Sequence, residues 1–332
     1  MSLALLPEAS VAVRSTKRAD TATFEELRPL LFSIAYRMLG SVASAEDVLQ
    51  EAFVRFDRAT AEGTPIASPK AYLSAVVTRL AIDELKSARV RRETYVGTWL
   101  PEPLVTDTSI DPAHHAETAE SLSMAFLLVL DRLNPVERAV FLFHDVFGYG
   151  FDEIASIIDR SEANCRQIAV RARQRVRAER PRLDADRHER ELVARRFFEA
   201  MAIGDIDGLT KMLSADVVVY GDGGGKAPQW TQAIVGVDRV RPLLMGVGRQ
   251  MSDLRLSLEL HQINGQPGAF VRAADGSIVN VLSVDVLDGV VQTVRSVINP
   301  DKLRHLGPVA DARALARELT TDRSGRERRI KS

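Results

Sequence analysis

One cysteine, Cys165, serves the whole 332-residue chain. A single thiol excludes an intramolecular disulfide and a thiolate metal site, and it fits a reducing cytoplasm. No apolar run approaches the ~20 residues needed to span a bilayer, so no membrane partner is expected. The start of the chain carries Arg14, Lys17 and Arg18 after a short apolar stretch. It lacks the long apolar segment of a secretory signal and reads as a flexible N-terminus, residues 1–20. An excess of one charge is also missing, since 44 Lys and Arg stand against 45 Asp and Glu. The six histidines do not fall at metal-ligand spacing, and His114 and His115 are adjacent in a proline-rich stretch, so no metal or cofactor is expected. What is present is 45% apolar residues, enough for packed cores. The length suggests two or three domains at roughly 150 residues each.

In a neutral chain a local cationic helix is a directed charge, and such a charge suits phosphate. The stretch Phe151–Arg177 has that character. Ile154, Ala155 and Ile158 predict one apolar face of a short helix, and Asp159-Arg160-Ser161 predicts a turn. Ser161 reads as the N-cap of a second helix. There Cys165, Ile168, Ala169, Ala172 and Val176 recur at helical spacing as a buried stripe. Asn164, Arg166, Gln167, Arg171, Arg173, Gln174 and Arg177 fall outside that stripe. Eight arginines against two glutamates lie between Arg160 and Arg182. Arg and Gln have planar forks that match base edges and phosphates. A short helix, a tight turn and a second helix with a buried stripe form a helix-turn-helix.

Residues 21–94 read as a helical domain. Phe24, Leu27, Leu31, Ile34, Ala35 and Met38 mark one helix. Ser44 is the expected opening of another, with Asp47 at the capping-box position and Val48, Ala52 and Phe56 inside. Ser68 and Pro69 open a third helix running to about Arg92, with Leu73, Val76, Val77, Leu80 and Leu85 buried. Pro101, Pro103 and Pro112 make residues 95–120 an interdomain linker. Residues 121–183 return to helices, with Asn134-Pro135 as a cap and first-turn proline, and end in the helix-turn-helix. Residues 186–305 change class: helices over 186–203 and near Ile206–Leu213, then β-branched runs separated by Gly, Asn and Asp turns. This predicts an α+β domain with a mostly antiparallel curved sheet. Residues 306–332 read as a tail, a helix followed by a basic end.

Three stretches resemble bacterial sigma factors of the extracytoplasmic-function (ECF) type. Ala45–Phe56 is similar to the family's core-polymerase-binding helix, which implies that role for Asp47, Gln50, Glu51 and Arg55. Pro69–Glu93 is similar to the helix that melts and reads the minus-ten element. That resemblance assigns Arg79, Lys86, Arg89, Arg91 and Arg92 to DNA, where their charge suits a captured single strand. The loop Arg58–Ser68 resembles the segment that receives a flipped base. The helix-turn-helix resembles the minus-thirty-five reader, which implies that Ser161, Asn164, Arg166, Gln167, Arg171, Arg173 and Arg177 bind DNA. Many family members carry a small polar or basic residue where this chain has Ile168, so base preference is not inherited. Two DNA modules on one linker gain affinity because the second contact is intramolecular. The implied partners are core RNA polymerase and promoter DNA.

Typical members end soon after the helix-turn-helix, and this chain continues. Tyr95–Leu104 in the linker, with Trp99, Leu100 and Pro101, resembles a marker of the ECF subgroup with a fused SnoaL-like C-terminal domain. So do Asp222-Gly223-Gly224-Gly225-Lys226 and Asn299-Pro300-Asp301-Lys302-Leu303. The resemblance implies two all-α domains plus a cone-shaped α+β barrel of the nuclear-transport-factor-two-like superfamily, regulating the factor in cis. Lys226 is followed by Ala227, and Tyr220 stands where a phosphate loop needs its first glycine. The glycine run therefore predicts a hairpin or interdomain contact loop, from which Lys226 meets an acid on another module. Asn299–Leu303 either ends the sheet or returns to the helical modules, and Trp99 is a candidate plug. Asp216, Asp222, His261 and Asp285 are the acids and bases an enzyme would draw on, but no pair has a placement that demands catalysis. A non-catalytic small-molecule pocket stays open. The alternatives are a ligand-responsive one-component regulator and a cyclase-like enzyme fused to a DNA-binding module.

Overall fold

The computed structural model describes residues 8–106, 121–179 and 187–319, with side chains described except over 8–20, 88–93 and at 179. The chain forms two compact units. One gathers residues 1–90 and 130–178, the other 91–129 and 179–332. The linker thus belongs with the C-terminal part.

The first unit is helical. Helix α1 spans Glu8–Leu39 and α2 Val42–Ala61, while α3 is Pro69–Glu93. Helix α1 begins inside the expected flexible segment 1–20, where Glu, Ala and Arg favour helix. The cap of α2 is Ser41 rather than Ser44: Ser41 Oγ accepts from Ser44 N at 3.1 Å. Gly40, at φ 67°, follows the last residue of α1, so Gly40 and Ser41 are the two residues between the helices. Asp47 is therefore an exposed residue within α2 and not a capping-box acid. Ser68 caps α3, its Oγ accepting from Ala71 N at 3.3 Å.

Helix α4, Met124–Leu130, belongs to the second unit up to Val129, and α5, Pro135–Phe141, opens on the Asn134 capping box in the first. A π-helical turn over Leu142–Val146 leads to α6, Phe151–Ile158, and α7, Glu162–Glu179. Arg138 ties α5 to α1. Its buried guanidinium donates to Leu130 O at 3.0 Å and Met38 O at 2.5 Å. Burying that charge is tolerable because carbonyls and Asp131, 3.5 Å away, replace its water.

The second unit is α+β. Helix α8 is Arg187–Ile203 and α9 Ile206–Lys211, followed by β1 Leu213–Asp222, β2 Ile234–Val235, and α10 Val237–Asp253. Strands β3 Ser257–Ile263, β4 Gln266–Arg272, β5 Ile278–Leu287 and β6 Val290–Val297 complete the sheet. The strand order is β2-β1-β6-β5-β4-β3. Edge strands β2 and β3 do not meet, so the expected closed barrel is not formed and the sheet stays open. It is also mixed, because β1 and β6 pair in parallel. The β3–β4 and β5–β6 hairpins turn on Asn264-Gly265 and Asp288-Gly289, all at positive φ, as two-residue turns of this twist require.

The sheet is covered on both faces. Phe197, Phe198 and Met201 of α8 and Val240, Leu244 and Met251 of α10 pack on one side, against Val219, Val271, Leu282 and Val294. On the other, Leu100 of the linker and Met124 of α4 pack with Ile263, Phe270, Val281, Val297 and Leu303. Strand β5 is accordingly buried on nearly every residue, which explains its continuous apolar run. Helix α10 lies where only strands are expected after Asp216. Beyond β6, short 3-10 turns over Pro300–Lys302 and Arg304–Leu306 precede a helix at 312–319. The basic end lies outside the described residues.

Candidate functional sites

The helix-turn-helix consists of α6, a turn with Asp159 at φ 55°, and α7 capped by Ser161, whose Oγ accepts from Asn164 N at 3.3 Å. Cys165, Ile168, Ala169, Ala172 and Val176 are all buried, as the periodicity predicts. On α6 the buried pair is Ile154 with Ile157, because Ile158 sits at the turn and is only half-buried. Burial pushes the Cys165 thiol up from its ordinary pKa.

The arginines of α7 divide into two groups. Arg173 pairs with Asp145 at 2.7 Å and Arg175 with the buried Glu137 at 2.5 Å, so both brace α7 on the preceding helices. Arg166 pairs with Glu162 and lies over the Phe151 ring, 5.5 Å from its centroid. Arg171 and Arg177 are exposed and make no ion pair among the described residues, while Asn164, Gln167 and Ser161 share their exposure. Among the described residues, Asn164, Gln167, Arg171, Gln174 and Arg177 are exposed on this helix with uncommitted side-chain donors.

On α2, Asp47, Gln50, Glu51 and Arg55 are all exposed, over a buried stripe of Val48, Leu49, Ala52 and Phe56. Arg55 Nε donates to Glu51 one turn earlier at 2.8 Å. Asp47 and Glu51 line a groove of about 340 Å³ with Asp83 and Glu84 of α3. Of these four carboxylates Glu51 is paired with Arg55 and Asp83 with Lys86, which offsets part of the groove's negative charge. Asp83 and Glu84 share this groove although they lie on another helix, a proximity the sequence does not reveal.

On α3, Arg79 is committed within the unit: its Nε donates to Ile157 O at 3.2 Å and Nη2 to Ser156 O at 3.4 Å. It satisfies carbonyls at the C-terminal end of α6, where a cation is favoured. Lys86 is exposed and pairs with Asp83 at 2.8 Å. The side chains of Arg89, Arg91 and Arg92 lie outside the described residues.

The three markers converge in the second unit. Asp222, at the end of β1, is wholly buried and receives three donors. Tyr95 Oη donates to Oδ1 at 2.5 Å, while Leu100 N at 2.8 Å and Lys302 Nζ at 2.7 Å donate to Oδ2. Lys302 also donates to Leu100 O, and its ammonium lies 4.5 Å from the Trp99 ring centroid and 5.0 Å from that of Tyr95. Asn299 Nδ2 donates to Tyr95 Oη at 2.9 Å, and its Oδ1 accepts from Asp301 N at 3.1 Å, capping the Pro300–Lys302 turn. Burial first, then the hydrogen bond to Asp222, raises the Tyr95 phenol well above its ordinary pKa, so Tyr95 is a donor at neutral pH. Gly224, at φ 56°, admits this packing: a Cβ there would run into Asn299 Nδ2 and Tyr95 Oη.

Lys226 pairs with Asp301, within the same unit rather than on another module. Gly225 O accepts from Arg313 at 2.6 Å. Gly223 and Pro101 are buried, and Pro103 O accepts from His305 Nε2 at 2.8 Å. Farther along, Thr106 N donates to Gln262 O at 3.0 Å and Asn264 N to Leu104 O at 2.7 Å, pairing the linker with the end of β3. The linker from Tyr95 to Thr106 is thus held along its length by what we term the clasp.

The acid and base candidates do not assemble. Asp222 is consumed by the clasp, Asp285 pairs with Arg295 at 2.7 Å, Asp216 is exposed, and His261 lies 3.2 Å from Glu259. No group of three or more His, Cys, Asp or Glu able to hold a metal occurs among the described residues. No described helix is long and apolar enough to cross a membrane.

The family model described as Sigma-70 region 2 matches residues 23–91, and that described as Sigma-70, region 4, matches residues 123–176. The chain is 40% identical over 306 residues to the ECF RNA polymerase sigma factor SigJ of Mycobacterium tuberculosis, covering 89% of this chain and 96% of SigJ. A second relative from that species, "Probable ECF RNA polymerase sigma factor SigI", is 32% identical over 287 residues, covering 85% and 94%. The crystal structure of M. tuberculosis SigJ superposes with a TM-score of 0.66 at 37% identity, over 86% of this chain and 98% of that one. The chain belongs to the ECF family of RNA polymerase sigma factors. It is a promoter-directed transcription initiation factor.

Proposed function

We propose that the chain engages core RNA polymerase through the exposed face of α2, contacts promoter DNA through α3 and α7, and is regulated in cis by its C-terminal unit. The observation that carries the regulatory part is the buried Asp222, which holds Tyr95, Leu100 and Lys302 together. The two matched sigma regions are connected in sequence by the chain between residues 91 and 123, and within the first unit they also touch directly, Arg138 on Met38 O and Arg79 on Ile157 O. Tyr95 to Thr106 make up much of that connection. Fixing it to a folded unit limits how far apart the two DNA-contacting regions reach, and reach decides whether both promoter elements are met at once. Release of the linker would change that reach without altering either DNA surface.

The C-terminal unit acts in this reading as a regulator and not as an enzyme. Asp222 and Asp285 are held in buried ion pairs, and its apolar cavity has no ionisable lining residue. The test is run-off transcription with core polymerase on a cognate promoter, comparing wild type with Gly224→Val. A Val side chain at a crowded, positive-φ position breaks the clasp from the loop side. Promoter output should shift severalfold, with duplex binding by α7 unchanged. Unchanged output from a variant whose linker has become protease-sensitive would refute cis regulation.

A further inference from the structure

The C-terminal unit holds a cavity of about 460 Å³ between α10 and the sheet, lined chiefly by apolar side chains that include Met201, Leu244, Met251, Val271 and Leu282. None of its lining residues is Asp, Glu, Lys, Arg or His. A charged ligand would lose its hydration there without gaining a partner. The polar lining is largely self-satisfied: Ser296 Oγ accepts from Gln229 Nε2 and Asn280 Nδ2, each at 2.9 Å. Gln250 is exposed to solvent, which leaves Trp230 as the exception. It lines the cavity, and its Nε1 is buried with no acceptor. An indole N–H only donates, so the group it calls for is an acceptor oxygen.

The same residues form the back of the clasp. At the end of β1, Asp222 faces Tyr95 and Leu100, while the flanking Gly221 packs on Gln229 and Trp230 and Gly223 packs on Ala227 and Gln229. There is no slack: a Cβ on Gly221 would come within 2.6 Å of Gln229 and 2.7 Å of Trp230. The parallel partner β6 repeats the alternation. Ser296 and Ile298 line the cavity, Val297 packs in the core that holds Leu100, and Asn299 bonds Tyr95. Ile298 N and Asn299 N both donate to Asp222 O, at 2.9 and 3.0 Å. Cavity wall and clasp are two sides of the same pair of strand ends.

We propose that this cavity binds a neutral, mainly apolar small molecule whose carbonyl-type oxygen accepts from Trp230 Nε1, and that its occupancy is transmitted through Gly221–Gly223 to the linker clasp. The transmitted part rests on the regulatory reading above. The site itself does not.

The two tryptophans of the chain allow both halves to be measured. Trp230 reports the cavity and Trp99 the clasp. In full-length protein carrying Trp99→Phe, emission is titrated with three neutral carbonyl compounds of different shape: flavone, 2-undecanone and a twelve-membered lactone. The anion 2-naphthoate serves as control. At least one neutral probe should quench Trp230 saturably, and the anion should not. Gly246 lines the cavity, and a Cβ there meets nothing within 4 Å, so Gly246→Phe fills the space without a clash at the backbone. That variant should keep the wild-type melting temperature and bind at least tenfold more weakly. Trp99 emission, taken as wild type minus Trp99→Phe, should shift with the same midpoint. Absence of saturable quenching by all three probes, equal binding by the anion, or undiminished affinity in Gly246→Phe overturns the site. Quenching of Trp230 with a silent Trp99 overturns the transmission. A transcription comparison of wild type and Asp222→Asn without any probe tests the clasp reading separately.

Discussion

Lys302 Nζ stands 2.7 Å from Asp222 Oδ2, and the carboxylate has no exposed surface. The pair joins the end of β1 to the turn after β6, and each partner also holds Leu100 of the linker, one through its N–H and the other through its carbonyl. A buried pair of this kind is expensive to half-remove, because the surviving charge stays desolvated.

Asp222→Asn therefore should lower the unfolding free energy of the second unit by about 3–5 kcal/mol. Tyr95→Phe, which removes one hydrogen bond, should cost about 1–2 kcal/mol. Urea unfolding followed by Trp99 emission measures both. Equal, near-zero losses would show that the clasp adds nothing to folding.

The Tyr95 contribution has a defined pH window. Its phenol is raised by burial and by Asp222, so the folded state holds that proton more tightly than the unfolded chain does. Stability from this group is full below the ordinary tyrosine value of 10.0 and is lost as pH rises toward the folded value. The gap in melting temperature between wild type and Tyr95→Phe should hold from pH 7 to about 10 and narrow above it. A gap that widens above pH 10 would contradict the assigned proton.

The arginine helix was largely legible in the sequence. A stripe of period 3.6 specifies which side of α7 is buried, and the remaining side follows. The sequence does not say which arginines are already committed, because Asp145 and Glu137 sit on other elements. Helix α10 was missed although Val237, Val240, Leu244 and Met251 carry helical spacing. Pro242, Gly246 and Gly248 dilute that signal, and the surrounding strands bias the reading. The markers were visible as short motifs. Their convergence on Asp222 was not, since pairing of β1 with β6 is a long-range event. The sheet's openness was hidden too, because closure depends on whether edge strands β2 and β3 meet.

Arg171 and Arg177 are the arginines of α7 free to reach DNA, so Arg171→Ala should weaken promoter binding. It should do so by about 1–3 kcal/mol for a base contact, or lower the salt slope by about one for a phosphate contact. Arg175→Ala should instead lower stability by leaving the buried Glu137 unpaired. Fluorescence anisotropy against salt, paired with thermal melts, separates the two. The reverse pattern would mean the surface is misassigned.

Asp47→Ala combined with Glu51→Ala removes half of the acidic groove between α2 and α3. Core polymerase affinity should fall at least tenfold, while duplex binding by the helix-turn-helix is unchanged. Unaltered core affinity would remove α2 from that interface.

The most direct test is run-off transcription by core polymerase with wild-type protein and with Asp222→Asn, at matched core occupancy and temperatures where both are folded. Control of the linker by the clasp predicts at least a threefold difference in promoter output with core affinity unchanged within twofold. Identical output from the two proteins would contradict it.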